Sequence, residues 1–537
     1  MPNIRIKCRD LKNHILAQSM NPATRVKIQK AFNDILSAAE KQKSGSANIT
    51  QADLNQMTHQ DVLVVVNPTT TPGEIASKKA REPVVVDAGF VELLHQAFEK
   101  DTQAKGAQNA VSVTPVSSIA LVRDTIVRSS DFTFSIKLDK WKATNQKSSG
   151  RCWIFAALNM LRPPVIRQLK IKNFEFSQNW VMFWNKFEQS NAFMENISST
   201  TQLKTSDRLV SYLLSDPISD GGQWGMFVNI AHKYGLVTQN AMPETQSSSS
   251  TQQMNAILVR RLREAALQLR KAASTKSSSA KQLLKKVHQQ AMSDIWKILC
   301  VHLGTPPKAF AWRWRDENDK FHDEGIQTPH EFRETYVKKD LQSGYVTLVH
   351  DPRTSSEYYR PYYIQYMNNV VGGVSKVQYV NTPIKTMKEV TLKMLRDNKP
   401  VWMACDVNKM FHSRLGIFDT DLYDFNAVYH LDLGMHNKID RIEHRQTVMT
   451  HAMLFTGVDI DPKTQQPTKW RIENSWGDKD GDSGFHSMSD KWFDEYVFEV
   501  IVERECADHV DSRIGTAWES TPIALEPWDA MGSVACK

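Results

Sequence analysis

The sequence predicts an α+β fold in which a helix-rich part of the chain precedes a strand-rich part. An apolar run of helical character, residues 152–161, follows the turn Ser148-Ser149-Gly150. Two strand-like runs, residues 451–458 and 469–473, come much later in the chain. Because the helical and strand patterns are segregated and do not alternate, an α+β fold is favoured over an α/β fold.

The composition is that of a globular protein of 537 residues, with a formal net charge of +8. This mild excess permits an anionic partner but does not require one. The six cysteines are widely spaced and form no CxxC pair, which argues against a zinc ribbon and a disulfide framework. The first residues lack the apolar core of a signal peptide, and the apolar run Val62–Val66 is too short to span a membrane. We therefore expect a reducing, cytoplasmic location and no membrane partner.

Residues 1–85 are expected to form an amino-terminal extension of unknown role that is partly flexible. A helix is predicted near Val26–Lys41, and Pro68–Gly73 is typical of a linker. The first thirty residues are basic, with Asp10 as their single acid. A basic amphipathic helix is favoured here, and a mitochondrial transit peptide is the alternative.

Residues 86–537 are expected to form the main domain. In it, Cys152 lies in the first turn of a buried helix that Pro163-Pro164 should end. An insertion of about residues 245–345 is predicted to be helical. Its basic stretch Ala256–Gln290 is interrupted by the serine-rich segment 273–279, which indicates a helical hairpin. A solvated face is the favoured role of this hairpin, and a nucleic-acid or subunit contact is the alternative.

The position of Cys152 favours a reactive thiol. A thiolate at a helix amino terminus is stabilised by the helix dipole and by unpaired backbone N–H groups, which lower its pKa. Gly150 allows a substrate to approach the backbone closely. Gln146, six positions before Cys152, can donate to a developing oxyanion together with the N–H of Cys152.

A base and its orienting amide come from the two predicted strands. His451 begins the first strand, and Asn474 follows directly after the second. An asparagine can hold an imidazole in one tautomer, and Trp476 can exclude water from that hydrogen bond. Cysteine, histidine, asparagine and glutamine make a complete set for acyl transfer, which requires no metal or organic cofactor.

Three segments resemble the signature boxes of papain-like cysteine peptidases: Gln146…Ser149-Gly150-Arg151-Cys152-Trp153, Thr450-His451-Ala452 and Asn474-Ser475-Trp476-Gly477. The spacing from Cys152 to His451 is 451 − 152 = 299 residues, against about 130–150 in papain-like enzymes. This enlarged layout resembles the bleomycin hydrolase and aminopeptidase C family. Finer matches are Asp220-Gly221-Gly222-Gln223-Trp224, Asn381-Thr382-Pro383 and Trp528-Asp529-Ala530-Met531-Gly532.

The resemblance implies a papain-like fold, with Cys152 on a helical subdomain and His451 and Asn474 on a β-rich subdomain. It implies a homohexameric cysteine aminopeptidase that acts on peptides and amides with a free amino terminus, with homocysteine thiolactone as a related substrate. Gly221 and Gly222 would pair with the substrate backbone. The tail, about residues 506–537, would reach the active site, where its carboxylate binds the substrate's amino group. Because Lys537 places a cation beside that carboxylate, we expect the enzyme to remove it.

Other functions stay open. The basic hairpin and the net charge motivate a protein that binds single-stranded nucleic acid on a peptidase scaffold. An endopeptidase of cathepsin type is a second alternative, and the tail argues against it. An inactive relative is disfavoured because all four catalytic positions hold competent residue types.

Overall fold

A computed structural model of the protein describes residues 84–138, 141–275 and 280–533. The chain divides into two units, Met1–Leu93 and Leu94–Lys537. Only residues 84–93 of the first unit are described. The helix expected near Val26–Lys41 and the linker Pro68–Gly73 therefore lie outside the described residues.

Helices dominate the first half of the described chain. They are α1 (Ala88–Lys100), α2 (Thr102–Val111), α3 (Val116–Ile119), α4 (Arg123–Ser129), α5 (Cys152–Leu169), α6 (Gln178–Ser199), α7 (Arg208–Ser215), α8 (Trp224–Tyr234), α9 (Gln246–Ser249), α10 (Gln252–Ala273) and α11 (Ala280–Leu303). Later helices are α12 (Pro329–Tyr336), α13 (Ile384–Arg396), α14 (Phe425–Tyr429), α15 (Lys438–Glu443), α16 (Asp490–Tyr496), α17 (Arg504–Val510) and α18 (Arg513–Glu519). A 3-10 helix, Ala530–Gly532, follows them. None of the described helices is long and apolar enough to cross a membrane.

Strands dominate the second half. They are β1 (Ile136–Lys137), β2 (Phe310–Arg315), β3 (Phe321–Gln327), β4 (Tyr345–Val349), β5 (Pro361–Ile364), β6 (Gln378–Asn381), β7 (Val401–Cys405), β8 (Phe411–His412), β9 (Ile417–Phe418), β10 (His451–Ile460), β11 (Pro467–Glu473), β12 (Phe485–Ser489), β13 (Val497–Glu503) and β14 (Ile523–Leu525). Segregated helices and strands confirm the α+β prediction.

The strands form one mixed sheet of 12 strands within the described residues, in the order β14-β5-β6-β4-β13-β7-β10-β11-β12-β9-β8, with β1 added to β10. The strands at its centre pair antiparallel. The two strands predicted from the sequence, β10 and β11, are neighbours there. His451 at the start of β10 lies opposite Cys405 of β7, and Leu454 lies opposite Glu473 at the end of β11. The antiparallel pairing therefore brings the start of one predicted strand close to the end of the other.

Helix α5 begins at Cys152, as predicted, but the predicted end at Pro163-Pro164 is wrong. The helix continues to Leu169, and Lys170 in the left-handed conformation ends it (φ 52°, ψ 47°). Two prolines remove two helical N–H donors, which normally costs about 3 kcal/mol or more. Here Val165 and Leu169 are buried beyond the prolines, and this apolar burial offsets the lost hydrogen bonds.

The segment 245–345 contains the predicted helical hairpin and also a β-hairpin. Helices α10 and α11 flank the serine-rich break, contact each other and contact α6. Strands β2 and β3 pair antiparallel. The rings of this hairpin stack. The ring centres of Trp312 and Trp314 are 5.1 Å apart, and those of Trp314 and His322 are 4.9 Å apart. Sequence reasoning assigned no strand to this segment.

One buried carboxyl, Glu499, gives the sheet a pH-dependent stability. It lies on β13 opposite Ala404 of β7 and Val349 of β4, and burial raises its pKa to about 8. Between its ordinary pKa of 4.5 and about 8, the folded chain holds a proton that the unfolded chain releases. The stability from this group is therefore complete below about pH 4.5 and is lost as the pH rises through about 8.

We predict that Glu499→Gln, which is neutral at every pH, is more stable than the parent at pH 9 by about 2–4 kcal/mol. The difference should be small at pH 5, where the parent carboxyl is also neutral. Urea unfolding at both pH values measures it. The exposed Glu357 provides a control, since Glu357→Gln should show no such gain. An equal effect of Glu499→Gln at both pH values would contradict the assignment.

Candidate active site

The turn before α5 is held by a buried arginine. Arg151, the residue before the helix, is 1% exposed, and its guanidinium donates to both oxygens of Glu244 at 2.8 and 2.7 Å. Its Nε also donates to Ser149 Oγ at 2.9 Å. A two-point pair of this kind is stiff and directional. It places Cys152, which is completely buried, at the positive end of the helix dipole.

The sulfur of Cys152 lies against the start of β10. The backbone N–H of Ala452 donates to Cys152 Sγ at 3.3 Å, so the residue before it, His451, is brought beside the helix start. Cys152 is part of a disulfide in this structure, whereas Cys300, Cys405 and Cys506 are the free thiols among the described residues. The sulfur can therefore act as a nucleophile only after reduction.

His451 and Asn474 form a buried hydrogen bond. His451 Nε2 lies 2.9 Å from Asn474 Oδ1, and that oxygen also accepts the N–H of Ser475 at 2.8 Å. Because an amide oxygen only accepts, Nε2 carries the proton and Nδ1 is the basic nitrogen. The Trp476 ring lies 4.9 Å from the imidazole. Burial lowers the pKa of His451 to about 4, although the bond to Asn474 raises it, so the imidazole is neutral and able to accept a proton.

Gln146 lies on the same turn as Cys152. Its side-chain oxygen accepts from Ser475 Oγ at 2.6 Å, and its backbone N–H donates to the Ser475 carbonyl at 2.8 Å. Its amide nitrogen donates to the Ser149 carbonyl at 2.5 Å. Because that nitrogen carries two hydrogens, one remains for a further acceptor. The predicted oxyanion donor is thus held between the segment of Asn474 and the turn before Cys152.

Gly221 and Gly222 are buried and lie against the start of α5. A Cβ on Gly222 would lie 2.5 Å from the Trp153 ring, and Trp153 donates its indole N–H to the Asp220 carbonyl at 2.8 Å. Only glycine fits this close approach. Burial would raise the pKa of Asp220, but the Lys186 ammonium at 2.6 Å and further hydrogen bonds lower it. Asp220 is thus an anchored anion beside the glycine pair.

Sequence reasoning missed a buried network around Glu473, the residue before Asn474. Its carboxylate accepts from Arg162 at 2.8 Å, Asn159 at 2.9 Å and the Trp141 indole at 2.8 Å. The side chains of Arg162 and Glu473 are 1% and 0% exposed. A charged residue that ends an apolar strand is a signal, because a buried charge needs a partner. The partner itself, 311 positions away, could not be read from the sequence.

The network joins the elements that carry the candidate residues. Asn159 and Arg162 belong to α5, and Glu473 ends β11. Asn159 also donates to Thr144 Oγ1 at 2.9 Å, two residues before Gln146. The structure therefore brings Cys152, His451, Asn474, Gln146, Gly221, Gly222 and Trp476 to one place. Lys537 lies outside the described residues.

Comparisons with known proteins show the family and the fold of this chain. Residues 85–532 match the model of the peptidase C1-like family. The chain is 39% identical over 450 residues to "Bleomycin hydrolase" of Homo sapiens, a match that covers 83% of this chain and 98% of the human protein. It is 37% identical over 448 residues to "Aminopeptidase C" of Streptococcus thermophilus, with the same coverage. The crystal structure of PepW from Lactobacillus rhamnosis superposes with a TM-score of 0.80 at 37% identity, covering 84% of this chain and 100% of that one.

We predict that Glu473→Gln lowers the free energy of unfolding by about 3–5 kcal/mol, because it leaves the buried Arg162 charge without a carboxylate. Arg162→Met alone should cost a similar amount. The double variant Arg162→Met, Glu473→Gln should recover most of the loss, since it leaves no buried charge and keeps an amide oxygen for the neighbouring donors. Urea unfolding of all four proteins gives the coupling energy, and strictly additive losses would contradict the network.

Proposed function

The chain belongs to the peptidase C1-like family and is a cysteine peptidase, and we propose that it is an aminopeptidase, which removes residues from the amino end of peptides. The relatives named as bleomycin hydrolase and aminopeptidase C support this proposal. The observation that carries it is the position of the tail: Gln223, next to Gly222, donates to the carbonyl of Ser533 at 3.0 Å. Ser533 thus lies beside the segment that carries the glycine pair.

The proposed reaction begins with reduced Cys152. Its proton moves to Nδ1 of His451, and the thiolate attacks the substrate carbonyl. The Cys152 N–H and the remaining amide hydrogen of Gln146 stabilise the oxyanion. Collapse of the intermediate expels the amine, which takes the proton from His451, and leaves a thioester. Water then attacks the thioester with His451 as base, which releases the acid and restores the thiol.

The selectivity for amino ends is proposed to come from the segment after Ser533. In the proposed arrangement, this segment occupies the cleft on the side of the glycine pair, and a carboxylate of it binds the substrate's ammonium group. A substrate with a blocked amine would lose this charge-assisted bond and would be crowded by the tail. The removal of Lys537 by the enzyme stays a prediction.

The proposed substrates are peptides and amides with a free amino terminus. The amide of bleomycin and homocysteine thiolactone fit the same cycle, since each contains an acyl group that Cys152 can accept beside a free amine. A homohexamer is the proposed assembly, and the cytoplasm or the mitochondrion is the proposed location.

Nucleic-acid binding is a second candidate, favoured by one surface. Lys281, Lys285 and Lys286 of α11 are exposed and form no ion pair within the described part of the chain. Three arginines of the hairpin count against nucleic-acid binding, because their side chains are used in contacts within the chain. Arg261 pairs with Asp294 at 2.9 Å, and Arg263 and Arg270 donate to backbone carbonyls. We therefore place this candidate below the aminopeptidase.

We predict that a fluorescent single-stranded oligonucleotide binds the parent at about 50 mM salt and is released by 200 mM, because lysine–phosphate contacts depend steeply on salt. Exchange of Lys281, Lys285 and Lys286 for glutamate should abolish the binding. Glutamate at Lys463, on a turn outside the hairpin, provides a charge control. No binding by the parent at low salt would remove this candidate.

We predict that the reduced protein hydrolyses amino-acid amide fluorogenic substrates and not their amino-acetylated counterparts. Cys152→Ala should lower kcat by about a thousandfold or more, since the nucleophile is lost. Omission of the thiol reductant should leave little activity, because Cys152 is in a disulfide. Comparable turnover of the acetylated compounds would instead favour an endopeptidase. No turnover of either would count against the mechanism.

A further inference from the structure

Both polar groups of the peptide bond between Ser149 and Gly150 form hydrogen bonds. The Ser149 carbonyl accepts the side-chain amide of Gln146 at 2.5 Å, and the Gly150 N–H donates to Asp220 Oδ2 at 3.2 Å. This peptide bond is trans, so its carbonyl and its N–H point in opposite directions on one rigid plane. The plane therefore has the proposed oxyanion donor at one edge and the Asp220 carboxylate at the other.

The orientation of this peptide plane depends on Asp220. Because Gly150 has no Cβ, the peptide before it can rotate into orientations that another residue would forbid. A rotated peptide would turn the Ser149 carbonyl towards the Asp220 carboxylate, and neither of these groups can donate a hydrogen bond. The rotation would also remove the acceptor that holds the Gln146 amide. The carboxylate thus favours the orientation in which Gln146 is fixed.

Asp220 is itself held by two helices. Lys186 of α6 has its Nζ 2.6 Å from Asp220 Oδ1, and the lysine side chain is 1% exposed. Burial would raise the pKa of Asp220, but this ammonium and further hydrogen bonds lower it, so the residue accepts as an anion. Trp153 of α5 donates its indole N–H to the Asp220 carbonyl at 2.8 Å. The Gly150 N–H therefore donates to a fixed anion, which is a stronger acceptor than a neutral oxygen.

The start of the inserted helical hairpin supplies two more donors to this carboxylate. Asn255 Nδ2 donates to Asp220 Oδ1 at 2.7 Å. Thr251 Oγ1 donates to Oδ2, the same oxygen that accepts the Gly150 N–H. We call residues 249–255 the insertion root, because α10 begins within them. The insertion root therefore helps to set how the carboxylate faces the peptide.

The backbone of the insertion root also contacts the turn before α5. The Ser148 N–H donates to the Ser249 carbonyl at 3.0 Å, and the Thr251 N–H donates to the Ser148 carbonyl at 3.4 Å. Ser148 directly precedes the peptide plane described above. The turn is thus bound to the insertion both directly and through Asp220.

Neutralising the buried ammonium of Lys186 is a simpler role for Asp220. That role requires Oδ1 alone, and it accounts for neither the Gly150 N–H nor the Thr251 hydroxyl on Oδ2. The two roles also have different consequences. A charge partner for Lys186 supports the stability of the fold, whereas a residue that fixes Gln146 supports the reaction.

We propose that Asp220 is a positioning residue that sets the orientation of the oxyanion donor Gln146, and that the insertion root holds Asp220 in place. This inference rests on the proposed function, since Gln146 has an oxyanion to stabilise only if Cys152 performs acyl transfer. Asp220 itself does not touch the substrate. It acts because an oxyanion donor is effective only when it is fixed before the charge develops. The insertion thus contributes to catalysis whether or not its lysines bind a partner.

Two variants of the reduced protein separate positioning from charge neutralisation. Asp220→Ala combined with Lys186→Met removes the carboxylate without leaving an unpaired buried charge. Thr251→Val combined with Asn255→Ala removes the side-chain donors of the insertion root and keeps the ion pair between Lys186 and Asp220. The second variant therefore tests the proposal even if the first is poorly folded.

Arg263→Gln is the matched control. Arg263 also belongs to α10, and it donates to the carbonyls of Leu214 and Ser215 at 3.0 and 2.9 Å. This variant removes hydrogen bonds of the same helix that do not reach the turn before α5. We expect it to keep the kcat of the parent.

Three measurements report on different parts of the site. The first is hydrolysis of a free-amine amide substrate. The second is the affinity for an amino-acid aldehyde, to whose carbonyl carbon Cys152 Sγ adds; no group leaves, and the former carbonyl oxygen takes the oxyanion position. The third is alkylation by iodoacetamide, in which Cys152 Sγ displaces iodide and the thiol proton is released. Alkylation forms no oxyanion, so it reports on the thiol alone.

We expect kcat to fall about a hundredfold when Asp220 and Lys186 are exchanged, which is the loss typical of one missing oxyanion donor. Exchange of Thr251 and Asn255 should lower kcat about tenfold, because the carboxylate stays but is less firmly held. KM should change little, since the oxyanion forms only after binding. The aldehyde should bind more weakly by the same factors, and the alkylation rate should change little.

Gln146→Ala tests whether Asp220 acts through Gln146. Once the donor is absent, its orientation no longer matters, so exchange of Asp220 and Lys186 in this background should lower kcat little further. Fully additive losses would contradict the proposed path from Asp220 to the oxyanion.

Unchanged kcat and aldehyde affinity in both variants, with only a lower thermal midpoint, would mean that these contacts serve stability alone. That result would overturn this inference and leave the proposed function in place. A parallel loss of alkylation and hydrolysis would also overturn it, because the thiol and not the oxyanion donor would then be disturbed. A reduced parent that hydrolyses neither free-amine nor acetylated substrates would remove the proposed reaction and this inference with it.

Discussion

The geometry of the candidate site depends on one buried carboxylate, Glu473. Helix α5, strand β11 and the segment before Gln146 each supply a member of this network. Helix α5 begins at Cys152, β11 leads directly into Asn474, and the segment leads into Gln146. A carboxylate without water is costly unless all its acceptor positions are used. Arg162, Asn159 and Trp141 each donate to it, so any shift of one element against another breaks a buried polar contact. The network therefore fixes the distance between α5, which begins at the proposed nucleophile Cys152, and Asn474, which is proposed to orient its base.

Burial disfavours the charged form of both members of the Cys152–His451 pair. It keeps His451 neutral, because an imidazolium in this place would lose its hydration. A thiolate at Cys152 would suffer the same loss, but it lies at the start of α5, where the helix dipole and the N–H of Ala452 favour negative charge. The Asn474 oxygen keeps the proton on the far nitrogen of the imidazole. In the proposed reaction, Nδ1 is thus the nitrogen that takes the proton of Cys152.

Two segments of the chain, the hairpin α10–α11 and the tail, carry charged side chains that the sequence suggested were free for a partner. In the structure, several of these side chains bind other parts of the same chain. The hairpin α10–α11 resembles a uniformly basic surface in the sequence, but Arg263 and Arg270 of α10 donate to carbonyls of the segments before it, whereas Lys281, Lys285 and Lys286 of α11 are exposed. The tail reads as a terminus of small residues, yet Asp529 joins it to Arg353. In both cases a charge that appeared available for a partner is used within the chain.

The sequence by itself determined the α+β class, the start of α5 at Cys152, the strands of His451 and Asn474, and the set of residue types needed for acyl transfer. These are local properties, since a helix start or a strand depends on side chains within a few positions. Tertiary structure decided the rest. It carried α5 past Pro163-Pro164, because burial of Val165 and Leu169 outweighs a local rule. It also chose Arg162 as the partner of Glu473 across 311 positions, because the pairing of buried charges depends on where the folded chain returns, which no local pattern encodes.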